Sequence, residues 1–542
     1  MPSSMLSVSS RAAKLTAQLL AALAAATLAQ EAALAAALPA APQTFDTSYV
    51  APSGKTLTVA AGGNLQAALD QAELGDTIVL EAGATYTGRL SLPNKTTGSG
   101  WIYVVSSKLA SLPPAGQRVG PNNAVNMPKI ISKAYNNALV TVANSHHFRF
   151  VGIEFATVAG GASYNLIVIG NVDTSPATLP HHIVFDRCYV HGDPTVNDRR
   201  GITMNGAYVA VVDSYISDFQ EVGADSQGLL AYNASGPLQI RNNYIEGAGE
   251  NVMFGGADSR DPGLVPADIE IRNNYFFKPL SLLATKYTIK NLLEFKSAKR
   301  VLVTGNTFEN NPLSGQVGFA ILITPRQAGK SPWAVTSDIE ISGNTLINVG
   351  SGFSVMGMNN TFPTLMTERV LIRNNLVGVT GLNGADGRAF QFVAGGGDYT
   401  IDHNTIINSA PSRSSDAAMA ESKRGKISNF VFTNNLATRT AYGFFGSGVG
   451  EGAQALDTYF TNWTFSKNVL VGRPAPVYPP ENFFPADAAA VRFTNYAGGL
   501  YSLAAGSPYK NAGTDGTDIG ANGAAPATSA IRPDPPTNVA VQ

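Results

Sequence analysis

The most regular feature of the chain is a short alternation of apolar and polar positions ending on asparagine, apolar-x-apolar-x-x-Asn. It occurs as Leu238-Gln-Ile-Arg-Asn-Asn243, Ile269-Glu-Ile-Arg-Asn-Asn274, Val301-Leu-Val-Thr-Gly-Asn306, Ile339-Glu-Ile-Ser-Gly-Asn344, Val370-Leu-Ile-Arg-Asn-Asn375, Tyr399-Thr-Ile-Asp-His-Asn404 and Phe430-Val-Phe-Thr-Asn-Asn435. The closing asparagines are 31, 32, 38, 31, 29 and 31 residues apart. Looser copies begin at Phe148 and Ile183, and Trp463-Thr-Phe-Ser-Lys-Asn468 follows downstream. Between copies lies a second apolar run, such as Leu229-Leu-Ala-Tyr232, Asn251-Val-Met-Phe254, Leu292-Leu-Glu-Phe295 and Phe319-Ala-Ile-Leu-Ile323. Period-2 alternation, Gly/Asn turns and the lack of helical periodicity predict at least two short strands per unit.

A unit of this size cannot bury its own apolar face. Successive coils stacked about 4.8 Å apart would merge those faces into one core. The expected fold is therefore all-β, a right-handed single-stranded parallel β-helix of roughly ten coils. A β-propeller blade needs about 40 residues and four antiparallel strands, more than this unit supplies. The recurring asparagine is read as an internal ladder, each amide bonding the turn backbone and the asparagine of the next coil.

The chain ends differ from the repeat. Residues 1–43 place Arg11 and Lys14 before a Leu/Ala run and small-residue sites, the order of a secretory leader with its pro-region. Localisation is thus expected to be secreted or periplasmic, with no membrane span in the mature protein. Asn64 to Gly75 reads as a capping helix with an Asn N-cap and a Gly stop, followed by a strand over Thr77–Leu80. The β-helix is expected over 44–525. Residues 526–542, Pro- and Asp-containing, look like a linker entering the first strand of a fibronectin type III domain.

Lys and Arg number 37 against 38 Asp and Glu, a balance that excludes a nucleic-acid partner recruited by overall charge. The single cysteine, Cys188, allows no intrachain disulfide, and the six histidines fall as two His-His pairs plus His191 and His403. Neither a disulfide scaffold nor a zinc enzyme is expected. Charge is unevenly placed, however. From Asp213 to Asp261 there are eight acidic residues against two arginines, and from Lys286 to Lys330 seven basic residues against two glutamates. Stacked coils would make these patches neighbours, as a site for a divalent cation and a polyanion requires.

The sharpest local feature is Asn291-Leu-Leu-Glu-Phe-Lys-Ser297. With Leu293 and Phe295 inward, Glu294 and Lys296 fall on the outer face. One coil on, the same wall carries Thr324 and Arg326; one coil back, Glu250 and Asn251, and before them Asn233 and Asn205. Together with Lys290 and Arg300 these residues outline a sugar-binding groove. A plain ion pair between Glu294 and Lys296 on a solvated surface is the competing structural reading.

Leu65-Gln-Ala-Ala, Gly75-Asp-Thr-Ile-Val-Leu-Glu-Ala-Gly83 with Tyr86, and the closing Ser507-Pro-Tyr-Lys-Asn-Ala-Gly-Thr-Asp-Gly-Thr-Asp-Ile-Gly-Ala521 together resemble the pectate-lyase-like β-helix superfamily of secreted bacterial proteins. Glu-x-Lys followed one coil later by Arg is similar to the arrangement in chondroitinase B and related alginate lyases. That resemblance implies β-elimination on an acidic polysaccharide, with Lys296 the base at sugar C5 and Arg326 acting on the leaving oxygen. It implies a Ca²⁺ ion held by Glu294, Glu250 and Asn251, with Asp225 a further candidate, and Asn205, Asn233, Lys290 and Arg300 binding substrate. A lysine among other cations is expected to have a lowered pKa. The protein is expected to be a monomer.

Two alternatives stand beside this reading. A glycoside hydrolase on the same fold would draw a carboxyl pair from Asp225, Glu250, Asp258 and Asp261, and a non-catalytic β-helix would only adhere to carbohydrate. His191 reads as a turn histidine before it reads as a base.

Overall fold

The computed structural model describes residues 36–522, apart from 171, 172, 360, 412 and 421–423. Most of the leader and the whole of 526–542 lie outside the described residues. Each complete coil contributes three strands, as in Ala267–Arg272, Tyr275–Phe277 and Leu293–Phe295. They feed sheets of 14, 13 and 12 strands in which neighbours come from successive coils. All of these pairings are parallel, for example Ile269 opposite Val301 and Val301 opposite Ile339. The chain is a parallel β-helix.

The third strand is the one the sequence reading leaves out. It follows the asparagine directly and is often only three residues long, as in Tyr244–Glu246, too short for alternation to show. Inward residues form continuous columns such as Leu238, Ile269, Val301, Ile339 and Val370 within one apolar core. Helix Leu65–Gln71 buries Leu65, Ala68 and Leu69 against that core, and Asn64 accepts the Ala67 N–H at 3.0 Å as its N-cap. The helix stops before Gly75, because Leu74 already bridges to Gly98 in parallel. The next strand covers Thr77–Leu80, as expected.

The asparagine ladder is present. Asn274 donates from both its backbone N and its Nδ2 to Asn306 Oδ1, at 2.8 and 3.0 Å. The same pair of bonds recurs from Asn306 to Asn344 and from Asn344 to Asn375, and the ladder ends where Asn468 donates to Asn482. Each side chain also donates to an adjoining coil's carbonyl, as Asn344 does to Val303 O. Along this ladder each buried backbone N–H is thereby satisfied by a side chain that is itself satisfied.

A second column crosses the outer face of the 14-stranded sheet. His147, His182 and Tyr208 occupy three successive coils and, past the coil of strand Leu238–Arg241, Asp268, Arg300, Asp338, Arg369, Asp398, Asn429 and Asn462 occupy seven more, all with φ between 52° and 57°. Arg300 clasps Asp268 through two bonds of 2.7 Å, and Arg369 clasps Asp338 at 2.7 and 2.9 Å. Residues 36–50 run over this column. Ala37, Ala40 and Gln43 donate their backbone N–H groups to Asp398, Asp338 and Asp268 respectively. The spacing has a simple origin: three residues of extended chain at about 3.1 Å each match two coils at about 4.8 Å. Pro39 and Pro42, which lack N–H groups, fall between the donors. Residues 36–43, placed with the leader by sequence, thus lie along the solenoid.

Candidate functional site

The outer face of the 12-stranded sheet gathers five oppositely charged side chains. Strands Gln227–Ala231, Glu250–Phe254 and Leu293–Phe295 are consecutive, with Gln227 opposite Glu250 and Met253 opposite Glu294. Leu293 and Phe295 are fully buried in the core. Alternation therefore turns Glu294 and Lys296 outward, yet they remain only 2% and 5% exposed. The competing picture of a solvated surface pair does not describe them.

Lys296 Nζ lies 3.5 Å from Glu294 Oε2, 3.8 Å from Glu250 Oε1 and 3.8 Å from Asp225 Oδ2. Its Nζ also approaches Met253 Sδ at 3.2 Å. Lys290 forms an ion pair with Asp225 and lies 3.6 Å from Glu250 Oε1. Gln227 donates to Glu250 Oε2 at 2.8 Å, and Arg200, one coil earlier, donates to Gln227 Oε1 at 2.9 Å. Thr324 donates to Glu294 Oε1 at 3.2 Å from the following coil. Arg326 donates its backbone N–H to Lys296 O at 2.8 Å, while its exposed guanidinium makes no ion pair among the described residues.

The electrostatics follow from this crowding. Burial raises Glu250 to about 7, opposed by Lys296 and reinforced by Glu294 and Asp225. Asp225 moves the other way: burial would raise it, but the Lys290 hydrogen bond and the nearby lysine charges bring it below its usual value. Lys296 corrects the expectation of a lowered lysine. Burial does pull it down, but Glu294, Glu250 and Asp225 outweigh that together with Arg326, and its pKa is raised. Coil stacking has put carboxylates, rather than other cations, nearest the ammonium.

Several residues proposed from sequence sit elsewhere. Asn251 is wholly buried at the corner between two sheets, donating to Ile245 O and Phe277 O at 2.8 Å and accepting from Lys278 at 3.0 Å. Its amide is committed to backbone and to a lysine. Asn205 Oδ1 accepts from the backbone of Tyr232 and Asn233, and Asn233 donates to Asp173 O and accepts from Arg260 N. Both amides shape turns beside the sheet. Arg300 belongs to the ladder on the 14-stranded sheet, paired with Asp268. Asp258 accepts from the backbone of Ala328 and Lys330, Asp261 caps the turn at Gly263, and His191 pairs with Glu154. Period-2 logic fails for Asn205 and Asn233 because they stand just past their strands, where the chain leaves the strand plane, and for Asn251 because it is unpaired in the register at the start of its strand.

Sequence reasoning missed Lys278, Gln227 and Arg200. Lys278 is completely buried and donates to Gly247 O, Ala248 O and Gly249 O at 2.7, 3.0 and 2.9 Å, fixing the turn that leads into Glu250. Burial draws its pKa down to about 7, against the pull of Glu250 and Glu246. No periodic signal marks it, since it lies just past the registered part of its strand, which ends at Phe277. Gln227 could have been found by aligning Ser226-Gln-Gly with Gly249-Glu-Asn, which puts it one coil before Glu250.

The donor set suits a hard cation in kind. Asp225, Glu250 and Glu294 offer carboxylate oxygens, and Glu250 Oε1 is buried and makes no hydrogen bond among the described residues. Asn291 Oδ1, beside Glu294, is likewise buried without a hydrogen bond.

No family model matches the chain, and no curated protein matches it in sequence. Among solved structures it is similar to an alginate lyase from Paenibacillus sp., at 16% identity over 68% of this chain and 94% of that one, with a TM-score of 0.29. It is also similar to the catalytic unit of a GH87 α-1,3-glucanase from Streptomyces thermodiastaticus, at 15% identity over 79% and 69% of the two chains, TM-score 0.48. Pectate lyase Pel9A matches at 13% identity over 87% and 96%, TM-score 0.35. The three parallel sheets bear out the expected resemblance to the pectate-lyase-like β-helix superfamily, at the level of fold. Among the described residues no helix is long and apolar enough to cross a membrane.

Proposed function

We propose that the protein acts outside the cytoplasm on an acidic, uronate-containing polysaccharide and cleaves it by β-elimination at the cluster on the 12-stranded sheet. The observation that carries this reading is the convergence of Lys296 with Asp225, Glu250 and Glu294, one coil from Arg326, whose guanidinium makes no ion pair among the described residues. Lys296 is the base for the C5 proton, and Arg326 stabilises charge on the departing oxygen. Lys290 and Arg200 supply positive charge to hold the polyanion. Asp225, Glu250 and Glu294 are the residues that would hold calcium. Calcium held there would supply positive charge to neutralise the uronate carboxylate and to offset the carboxylates that keep the proton on Lys296. Asn251, Asn205, Asn233 and Arg300 take no part in this version of the site.

A second reading rests on one observation, that Glu250 and Asp225 are pushed in opposite directions from ordinary carboxyl values. Such a pair suits a general acid and a base for glycoside hydrolysis. The test is to mix the protein with pectate, alginate and glycosaminoglycans, with calcium or chelator, beside a Lys296→Ala variant. Calcium-dependent ultraviolet absorbance of an unsaturated uronate, lost in the variant, supports elimination. New reducing ends without that chromophore mean hydrolysis, and saturable binding without cleavage means adhesion.

A further inference from the structure

The two His-His pairs of the sequence meet on the outer face of the 14-stranded sheet, away from the cluster above. Strands His146–Val151 and His181–Asp186 pair in parallel with His146 opposite His181. The rings of His146 and His181 stack at 4.9 Å and 2°, those of His147 and His182 at 4.4 Å and 4°. Within each pair the two Nδ1 atoms are 2.8 Å apart.

Hydrogen-bond logic fixes one tautomer. His146 Nε2 lies 2.8 Å from Lys95 O, which can only accept, so Nε2 carries the proton. The Nδ1 of neutral His146 is then an acceptor, and His147 donates from its own Nδ1. This leaves the His147 Nε2 lone pair unprotonated, with the opposite ring nitrogen anchored, as metal-binding histidines are usually arranged. Burial and the neighbouring imidazoles hold His147 and His182 down to about 4 and lower His181 as well. One nitrogen from each ring lies within 4.8 Å of the other two, the one such group of His, Cys, Asp or Glu among the described residues; because His181 and His182 share an Nδ1–Nδ1 hydrogen bond, ligation by both exchanges that bond for a bond to the metal.

A plain aromatic stack explains less. Tyr208 extends the His147–His182 stack at 4.3 Å, and a separate ladder of Tyr215, Tyr244 and Tyr275 needs no histidine. The left-handed φ at 147 and 182 favours Asn, Asp or His there. It gives no reason for histidine at 146 and 181. The remaining histidines, His191 and His403, are taken up in pairs with Glu154 and Asp402.

We propose that His147, His181 and His182 bind a borderline transition-metal dication such as Zn²⁺ or Cu²⁺, which pins two successive coils together. A donor set of imidazole nitrogens without a carboxylate selects such ions over Ca²⁺ or Mg²⁺. Bonds of about 2.0–2.1 Å require the nitrogens to close to roughly 3–4 Å, so binding is expected to rotate the rings out of their present stack. Trp101 at 5.2 Å from His147 and Phe45 at 6.3 Å from His182 wall the position edge-on.

The full chain, stripped with chelator and dialysed against Zn²⁺, is expected to retain about one equivalent and to melt at a higher temperature. Cu²⁺ in its place should give an electron paramagnetic resonance spectrum split by imidazole nitrogen. Excess Ca²⁺ should displace neither ion. His182→Asn, which suits the left-handed backbone, and His181→Phe, which keeps a stacked ring, should each weaken binding by about tenfold or more; His191→Gln should not. Variants that bind as the parent does, or a parent that retains no Zn²⁺ and shows no nitrogen splitting, would overturn the proposal. Circular dichroism of each variant separates lost ligation from lost fold.

Discussion

Gln227 donates from Nε2 to Glu250 Oε2 across 2.8 Å, and so decides which oxygen of that buried carboxylate is left to face the lysines. Oε1, turned toward Lys290 and Lys296 at 3.6 and 3.8 Å, is buried and makes no hydrogen bond among the described residues. Its environment sets the first prediction. Glu250 titrates at about 7 in the folded chain against 4.5 when unperturbed. Between those values the folded chain holds a proton that the unfolded chain has released, so this group's contribution to stability falls as pH rises through the window. Glu250→Gln should flatten the slope by an amount on the order of 2–3 kcal/mol between its ends. Urea unfolding of both proteins across that pH range checks it; an unchanged slope would place the carboxyl's titration elsewhere.

Lys278 is the internal fastener of the turn before Glu250. Lys278→Met keeps much of the volume but strands three carbonyls and the Asn251 amide oxygen that its ammonium now satisfies. A loss of roughly 3 kcal/mol or more is expected, since each unsatisfied buried acceptor costs about 1–3 kcal/mol. Polysaccharide cleavage should fall as well, because Glu250 is held by the same turn. Unfolding by urea and a cleavage assay on the remaining folded fraction separate the two effects.

Position along the asparagine ladder should matter more than residue type. Asn344→Ala orphans the backbone N–H of Asn306 in the middle of the stack and takes away the bond that Val303 O accepts, while the Asn306 amide keeps Ile271 O and Thr304 O, at a cost of about 2–4 kcal/mol. Asn482→Ala, at the end and 8% exposed, lets water replace part of what is lost and should cost about half as much. Equal losses in the two variants would contradict this account.

The N-terminal strap can be probed without disturbing its side chains. Ala40→Pro removes the N–H that Asp338 accepts while remaining compatible with extended chain. It should cost about 0.5–1.5 kcal/mol and speed cleavage of residues 36–50 by added protease. Ala41→Pro, which removes no described hydrogen bond, is the control and should behave as the parent. Limited proteolysis followed by mass spectrometry reads both.

Much of the fold was legible because the repeat obeys local rules. Alternation marked Leu238–Ile240 and its equivalents as strands, and their closing asparagines could only repeat at such intervals if they stacked. The third strand was not legible, since three residues such as Tyr244–Glu246 carry no period. The site was legible in part. Glu294 and Lys296 were placed outward by the inward Leu293 and Phe295, whereas Asn205 and Asn233 were misplaced because residues just past a strand follow no alternation, and Asn251 because it is unpaired in the register at the start of its strand.

By itself the sequence determined the β-helix, its ladder and the strand bearing Glu294 and Lys296, because those depend on near neighbours and a fixed repeat. Only the tertiary structure decided what surrounds Lys296. Its partners Asp225 and Glu250 are 71 and 46 residues earlier in the chain, and the loops between coils vary in length. The same is true of His147 and His182, and of the strap whose Ala37 reaches Asp398. Stacking turns distance along the chain into a contact between coils, and which side chains meet depends on register and loop length summed over every intervening residue.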